Sequence, residues 1–91
     1  MAFILSIFDT EDYETWKQRF DSDPAGRKEA AKKHRIFRAS DNPNRVYVSV
    51  EFPSLDDAKS FRERLMGSGV LDNMTVVQEP TVAELAEETD Y

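Results

Sequence analysis

Two stretches of alternating residues, HRIFRAS at 34–40 and RVYVSVEF at 45–52, flank the tetrapeptide DNPN at 41–44. Alternation of apolar and polar side chains marks a strand with one covered and one open face. Asn, Pro and Asp between two such runs mark a turn. This hairpin constrains the rest of the chain, because a one-residue shift of register exchanges the faces of a strand. Pairing Asp41 with Asn44 sets Phe37 opposite Val48 and Ala39 opposite Val46. With Val50, these residues are expected to form an apolar face under the helices. The same register gathers His34, Ile36, Arg38, Tyr47, Ser49 and Glu51 on the other face. There His34 lies opposite Glu51, Ile36 opposite Ser49 and Arg38 opposite Tyr47.

The remaining elements follow from local chemistry. AFILSIF at 2–8 is too short for a buried helix and suits a central strand. Ser6 fits the polar face better than the helix side, so Ile4, Ser6 and Phe8 are expected on the open face. Asp9 or Thr10 offers an N-cap, and Tyr13, Trp16 and Phe20 then make one stripe of an amphipathic helix. DSDP at 21–24 ends that helix, and Asp23 can cap a short second turn. Asp21, Asp23 and Arg27 are read as serving this break. Ser54 and Asp57 resemble a capping box ahead of the Leu55, Ala58, Phe61, Leu65 stripe. GSG at 67–69 stops that helix, and NMTVVQ at 73–78 reads as a last strand. Pro80 punctuates, and residues 80–91 are expected to be an acidic tail or a short helix starting at Thr81. The order β-α-β-β-α-β predicts an α+β, ferredoxin-like domain over residues 1–79 with a four-stranded antiparallel sheet.

Such a fold covers one sheet face with helices and leaves the other bare. With 91 residues the core is thin, and with no cysteine no disulfide can reinforce it. A partner subunit on the bare face is the remaining source of support, so a homodimer through the sheet faces is expected. A single histidine excludes a histidine-rich metal site, and no metal or cofactor is expected. A net charge of −6 opposes binding to nucleic acid or an anionic membrane. The N-terminal apolar run is too short for a membrane span and lacks a basic flank, which points to the cytoplasm.

DYETWKQRFDSDPAGR at 12–27 and RIFRASDNPNRVYVSVEF at 35–52 resemble segments of the dimeric α+β barrel superfamily, which includes antibiotic-biosynthesis-type monooxygenases. The chain is most similar to its short members labelled cyclases, over residues 2–79. The resemblance implies that two sheets stack into a barrel, with a cleft between each sheet and its own helices or the partner. It implies no cofactor, since haem-binding members present a histidine from a helix or loop and His34 falls at a strand start.

Several residues are candidates for chemistry. His34 beside Glu51 is the only pair with acid–base character, and the same pair also suits a structural cross-strand contact. Arg38, Tyr47 and Ser49 are candidates for binding a substrate, and equally for packing across strands. Trp16, in mid-stripe, is read as core. Two functions fit. One is a small-molecule protein, such as a cofactor-independent monooxygenase, isomerase or cyclase acting on an aromatic or polyketide-like compound. The alternative is a non-catalytic binding or assembly module.

Overall fold

A computed structural model describes residues 1–91. The order is strand β1 (Ala2–Asp9), helix α1 (Tyr13–Asp21), one-turn helix α2 (Arg27–Ala30), strands β2 (Lys33–Ala39) and β3 (Asn42–Phe52), helix α3 (Leu55–Gly67) and strand β4 (Thr75–Glu84). The strands form one antiparallel sheet in the order β2-β3-β1-β4, the ferredoxin-like α+β arrangement. Both long helices pack on one face, where Trp16 of α1 and Ala58 and Phe61 of α3 join Ile4, Phe8, Val46, Val48, Val50 and Phe52 in a single core. Burying each large apolar side chain there stabilises the fold by about 1.5–3 kcal/mol. No helix is long and apolar enough to cross a membrane.

Helix α1 starts at Tyr13, with Asp12 as its cap accepting from the Thr15 N–H at 3.1 Å. The earlier cap expected at Asp9 or Thr10 does not form, because both residues are committed to β3. Asp9 holds Arg45 through two hydrogen bonds of 2.7 and 2.9 Å, and the Thr10 N–H and hydroxyl both donate to the Asn44 carbonyl at 2.8 Å. The aromatic stripe forms as expected, with ring centres 5.9 Å apart for Tyr13–Trp16 and 5.1 Å for Trp16–Phe20. Asp23, at φ 57, turns its carboxylate onto the N–H groups of Arg27 and Lys28 at 2.6 and 3.1 Å and so caps α2. Ser54 caps α3 by accepting from the Asp57 N–H at 3.1 Å.

The hairpin corrects the expected register by one residue. Its reversal falls on Ser40 and Asp41, with Ala39 opposite Asn42, instead of on the whole of DNPN. Residues 43–45 are then taken up on the β3 side before Arg38 meets Val46. Pro43 lacks the N–H a ladder needs, so an irregularity there is the low-cost arrangement. The Arg38 Nε–H donates to its carbonyl at 2.8 Å. The slip inverts β2: His34, Ile36 and Arg38 stand opposite Val50, Val48 and Val46, on the helix side. Phe37 turns to the open face opposite Tyr47 and is 56% exposed, against the expectation that it joins the core.

The expected faces of β1 are also exchanged. Ile4, Ser6 and Phe8 pair with Val50, Val48 and Val46 and lie buried under the helices, while Phe3, Leu5 and Ile7 face outward. Adjacent strands share faces, and the valines of β3 therefore decide the orientation of β1. At the far edge, β4 does not stop at residue 78 but continues through buried Pro80 to Glu84, so no helix starts at Thr81. Its pairing with β1 shifts twice, between Leu5 and Ile7 and between Ile7 and Phe8. The first shift accommodates Pro80 at a bulge, where a missing N–H breaks no ladder bond.

Candidate functional site: a cavity between sheet and helices

The valines of β3 and the alternating residues of β1 make a smooth floor, while the helices that cover it are short and joined by wide turns. A cavity of about 300 Å³ remains between them. Its floor is Ile4, Ser6, Phe8, Val48 and Val50, and its walls include Trp16, Phe20, Phe61 and Leu65. Val70, Leu71 and Met74, from the segment between α3 and β4, close one side. Exposed Glu11, Asp12, Thr15, Arg19, Asn73 and Thr75 mark the opening. The volume lies at the lower end of the range of small-molecule sites, and the mostly apolar lining suits an aromatic or aliphatic ligand.

Two buried polar side chains interrupt that lining. Ser6 is 7% exposed, and its hydroxyl makes no hydrogen bond within the chain. Arg27 is 6% exposed, and its guanidinium lies over the Phe20 ring, 3.6 Å from the ring centre. Loss of hydration pushes the Arg27 pKa below the usual arginine value, against the pull of Asp23 and Asp21. The carboxylates at the opening are mostly engaged: Asp9 with Arg45, Asp12 with Thr15, and Asp23 with the backbone of α2. Those bonds hold the Asp9 and Asp12 carboxyls below the ordinary aspartate range. Glu11 alone among the lining acids has no partner within the chain. No cluster of three or more histidine, aspartate or glutamate side chains forms a metal site.

The residues singled out from the sequence do not converge. None of His34, Arg38, Tyr47, Ser49 and Glu51 lines this cavity. His34 stands edge-on to Phe20, ring centres 4.9 Å apart, and is not paired with Glu51, which lies opposite Lys33. Burial, with Arg27 and Lys17 nearby, lowers the His34 pKa, opposing the rise that a carboxylate neighbour would cause. Arg38 covers the Tyr13 ring at 4.1 Å and is separated from Tyr47 by the sheet. Tyr47 and Ser49 remain together on the open face, in a shallow depression with Leu5, Phe37 and Gln78. Glu51 is on that face too, buried at 7% exposure. The residues missed, Ser6 and Arg27, did leave a trace: a lone hydroxyl in an apolar run, and a cation four residues after the turn-forming Asp23.

Among solved structures, the chain matches one described as a "putative antibiotic biosynthesis monooxygenase" from Nitrosomonas europaea. The match has a TM-score of 0.65 and 15% identity over 96% of this chain and 100% of that one. The chain shares that protein's fold. No family model and no curated protein matches the sequence. The fold is thus established by backbone geometry alone, and such a fold hosts many chemistries, so function has to be argued from the cavity's own residues.

Proposed function

We propose that this chain binds a small aromatic or polyketide-like molecule in the helix–sheet cavity, and acts on it as a cofactor-independent monooxygenase. The observation that carries the reading is the cavity of about 300 Å³, with an apolar floor and inner walls, two buried polar side chains and a polar opening. The shared fold with a protein described as a monooxygenase supports the reaction class. The substrate supplies the electrons. A ring methylene flanked by aromatic rings becomes a carbonyl: one atom of O2 enters the product, and the other leaves as water with the two methylene hydrogens. In this reading the Ser6 hydroxyl hydrogen-bonds a substrate oxygen, and Trp16 packs against the substrate's rings.

The working unit is a homodimer through the open faces of the sheets. Only 15 of 91 residues are buried in one copy, and Leu5, Phe37 and Tyr47 are 43%, 56% and 41% exposed on one sheet face. A second copy is the simplest cover for that surface.

The test is oxygen uptake with a hydroxyanthrone, in the presence of chelator and with no added flavin. The expected result is one O2 consumed per quinone formed, faster than autoxidation, together with quenching of Trp16 fluorescence. One observation favours a second reading, a non-catalytic binding module: no histidine lines the cavity, and Glu11 is its only unengaged carboxylate. Quenching without oxygen uptake above autoxidation selects that reading, and absence of both removes the cavity as a ligand site.

A further inference from the structure

The cavity is lined by a charge that the fold pairs only loosely. Arg27 is more than nine-tenths buried, yet only one of its guanidinium N–H groups finds an acceptor in the chain, the Phe20 carbonyl at 3.1 Å from Nη1. Nη2 is sealed from bulk water and has no hydrogen-bond partner. The nearest counter-ion, Asp23, is weakly placed. Its two oxygens accept from the Arg27 and Lys28 backbone N–H groups, and it approaches Nη1 only to 4.0 Å. Buried donors without acceptors are costly, and a buried cation without a close carboxylate more so. The Phe20 ring, stacked against Trp16, fixes the plane of the guanidinium from one side. Arg27 thus lines the α1–α2 end of the cavity as an incompletely paired cation, with Nη2 packed just beneath the cavity surface.

We propose that Arg27 is the anchor for an aromatic carboxylate, so that the cavity's ligand is an acid with its rings along Trp16. This rests on the cavity being a ligand site, but not on oxygenation. A planar carboxylate supplies the close countercharge that Asp23, at 4.0 Å, does not, and a turn of the guanidinium toward the cavity gives it a charge-assisted N–H···O bond. Glu11, Asp12 and Asp23 keep their negative charge around the opening, Asp9 is paired with Arg45 and Arg19 adds a positive charge, so a preference for an acid has to come from Arg27 itself.

The experiment compares 3-hydroxy-2-naphthoate with its methyl ester, by Trp16 quenching and calorimetry on the full chain at neutral pH. The expected result is at least about tenfold tighter binding of the acid, the value of a charge-assisted hydrogen bond. Arg27→Gln should bring acid and ester to equal affinity, Arg27→Lys should keep part of the preference, and Arg19→Gln, at the opening, should keep all of it. A purely structural Arg27 would weaken both probes alike and leave their ratio unchanged. Equal binding of acid and ester to the wild-type protein overturns the proposal while leaving the cavity reading intact, even if the Arg27 variants do not fold. Binding of neither probe overturns both. A preference that survives Arg27→Gln but not Arg19→Gln moves the anchor to Arg19 and also overturns the proposal.

Discussion

The two faces of this sheet are built from neighbouring residues of the same strands, yet they differ in kind. On the helix side, Ile4, Phe8, Val46, Val48 and Val50 form a core around a cavity that Ser6 and Arg27 also line. On the open side, Leu5, Phe37 and Tyr47 are left half exposed beside Ser49 and the depression they share with Gln78. The first face has more room than its residues fill, and the second has more apolar surface than its own chain covers. The difference is what the proposals above rest on: a small molecule for the first face, and a second copy for the second.

The strongest test of this division is Phe61→Ala, which removes a buried ring packed on Phe52 with centres 5.4 Å apart. Denaturant unfolding should show a loss of about 3–5 kcal/mol. A loss under about 1 kcal/mol, typical of exposed positions, would mean that this face is not the core. Next is Leu5→Lys, on the opposite face. It should weaken dimerisation roughly tenfold to a hundredfold, the equivalent of about 1.5–3 kcal/mol for an unburied leucine. Light scattering at micromolar concentration checks this, and an unchanged mass would assign the dimer contact elsewhere. Ser6→Ala should act on the ligand only. Its hydroxyl has no partner in the chain, so stability should stay within about 0.5 kcal/mol, while ligand affinity falls by roughly two- to tenfold for one lost hydrogen bond.

The smallest effect concerns His34. Burial is the largest cause of its lowered pKa, followed by Arg27 and Lys17, with Asp21 opposing and Lys28 adding. A depressed histidine binds fewer protons in the folded state than in the unfolded one. Its contribution is therefore intact well above the unfolded pKa of about 6.5 and declines as pH falls through that value toward the lower folded one. As the chain has one histidine, an NMR titration reads it directly. The midpoint should lie below about 6.5. A midpoint above that would restore the carboxylate partner that the hairpin register denies it.

The element order and the aromatic stripe of α1 were legible in the sequence because periodicity and capping residues repeat over several positions. The faces of β1 and β2 were not, because each depends on a single pairing step. For β2, that step turned on how Pro43 is accommodated, since a reversal at Ser40–Asp41 and one centred on DNPN are equally consistent with the turn residues. For β1, Ser6 argued for the wet face, whereas its β3 neighbours hold it under the helices. The cavity was legible only in part. Trp16 was recognised as core and also lines the space, while Ser6 and Arg27 acquire meaning only when strand and turn are brought together.

The bulges of β4 have a consequence at the margins of the sheet. β4 and β2 are its two outer strands, and an unguarded outer strand offers a row of free backbone groups to any extended chain that meets it. Pro80 removes one donor from that row, and the two shifts of pairing break its rhythm. At the opposite margin, Lys33 and Arg35 place positive charge along β2, so that two such margins brought together repel. Growth of the sheet by adding strands side by side is thereby discouraged at both ends, which protects the protein from ribbon-like aggregation and leaves stacking of flat surfaces as its open route to self-association.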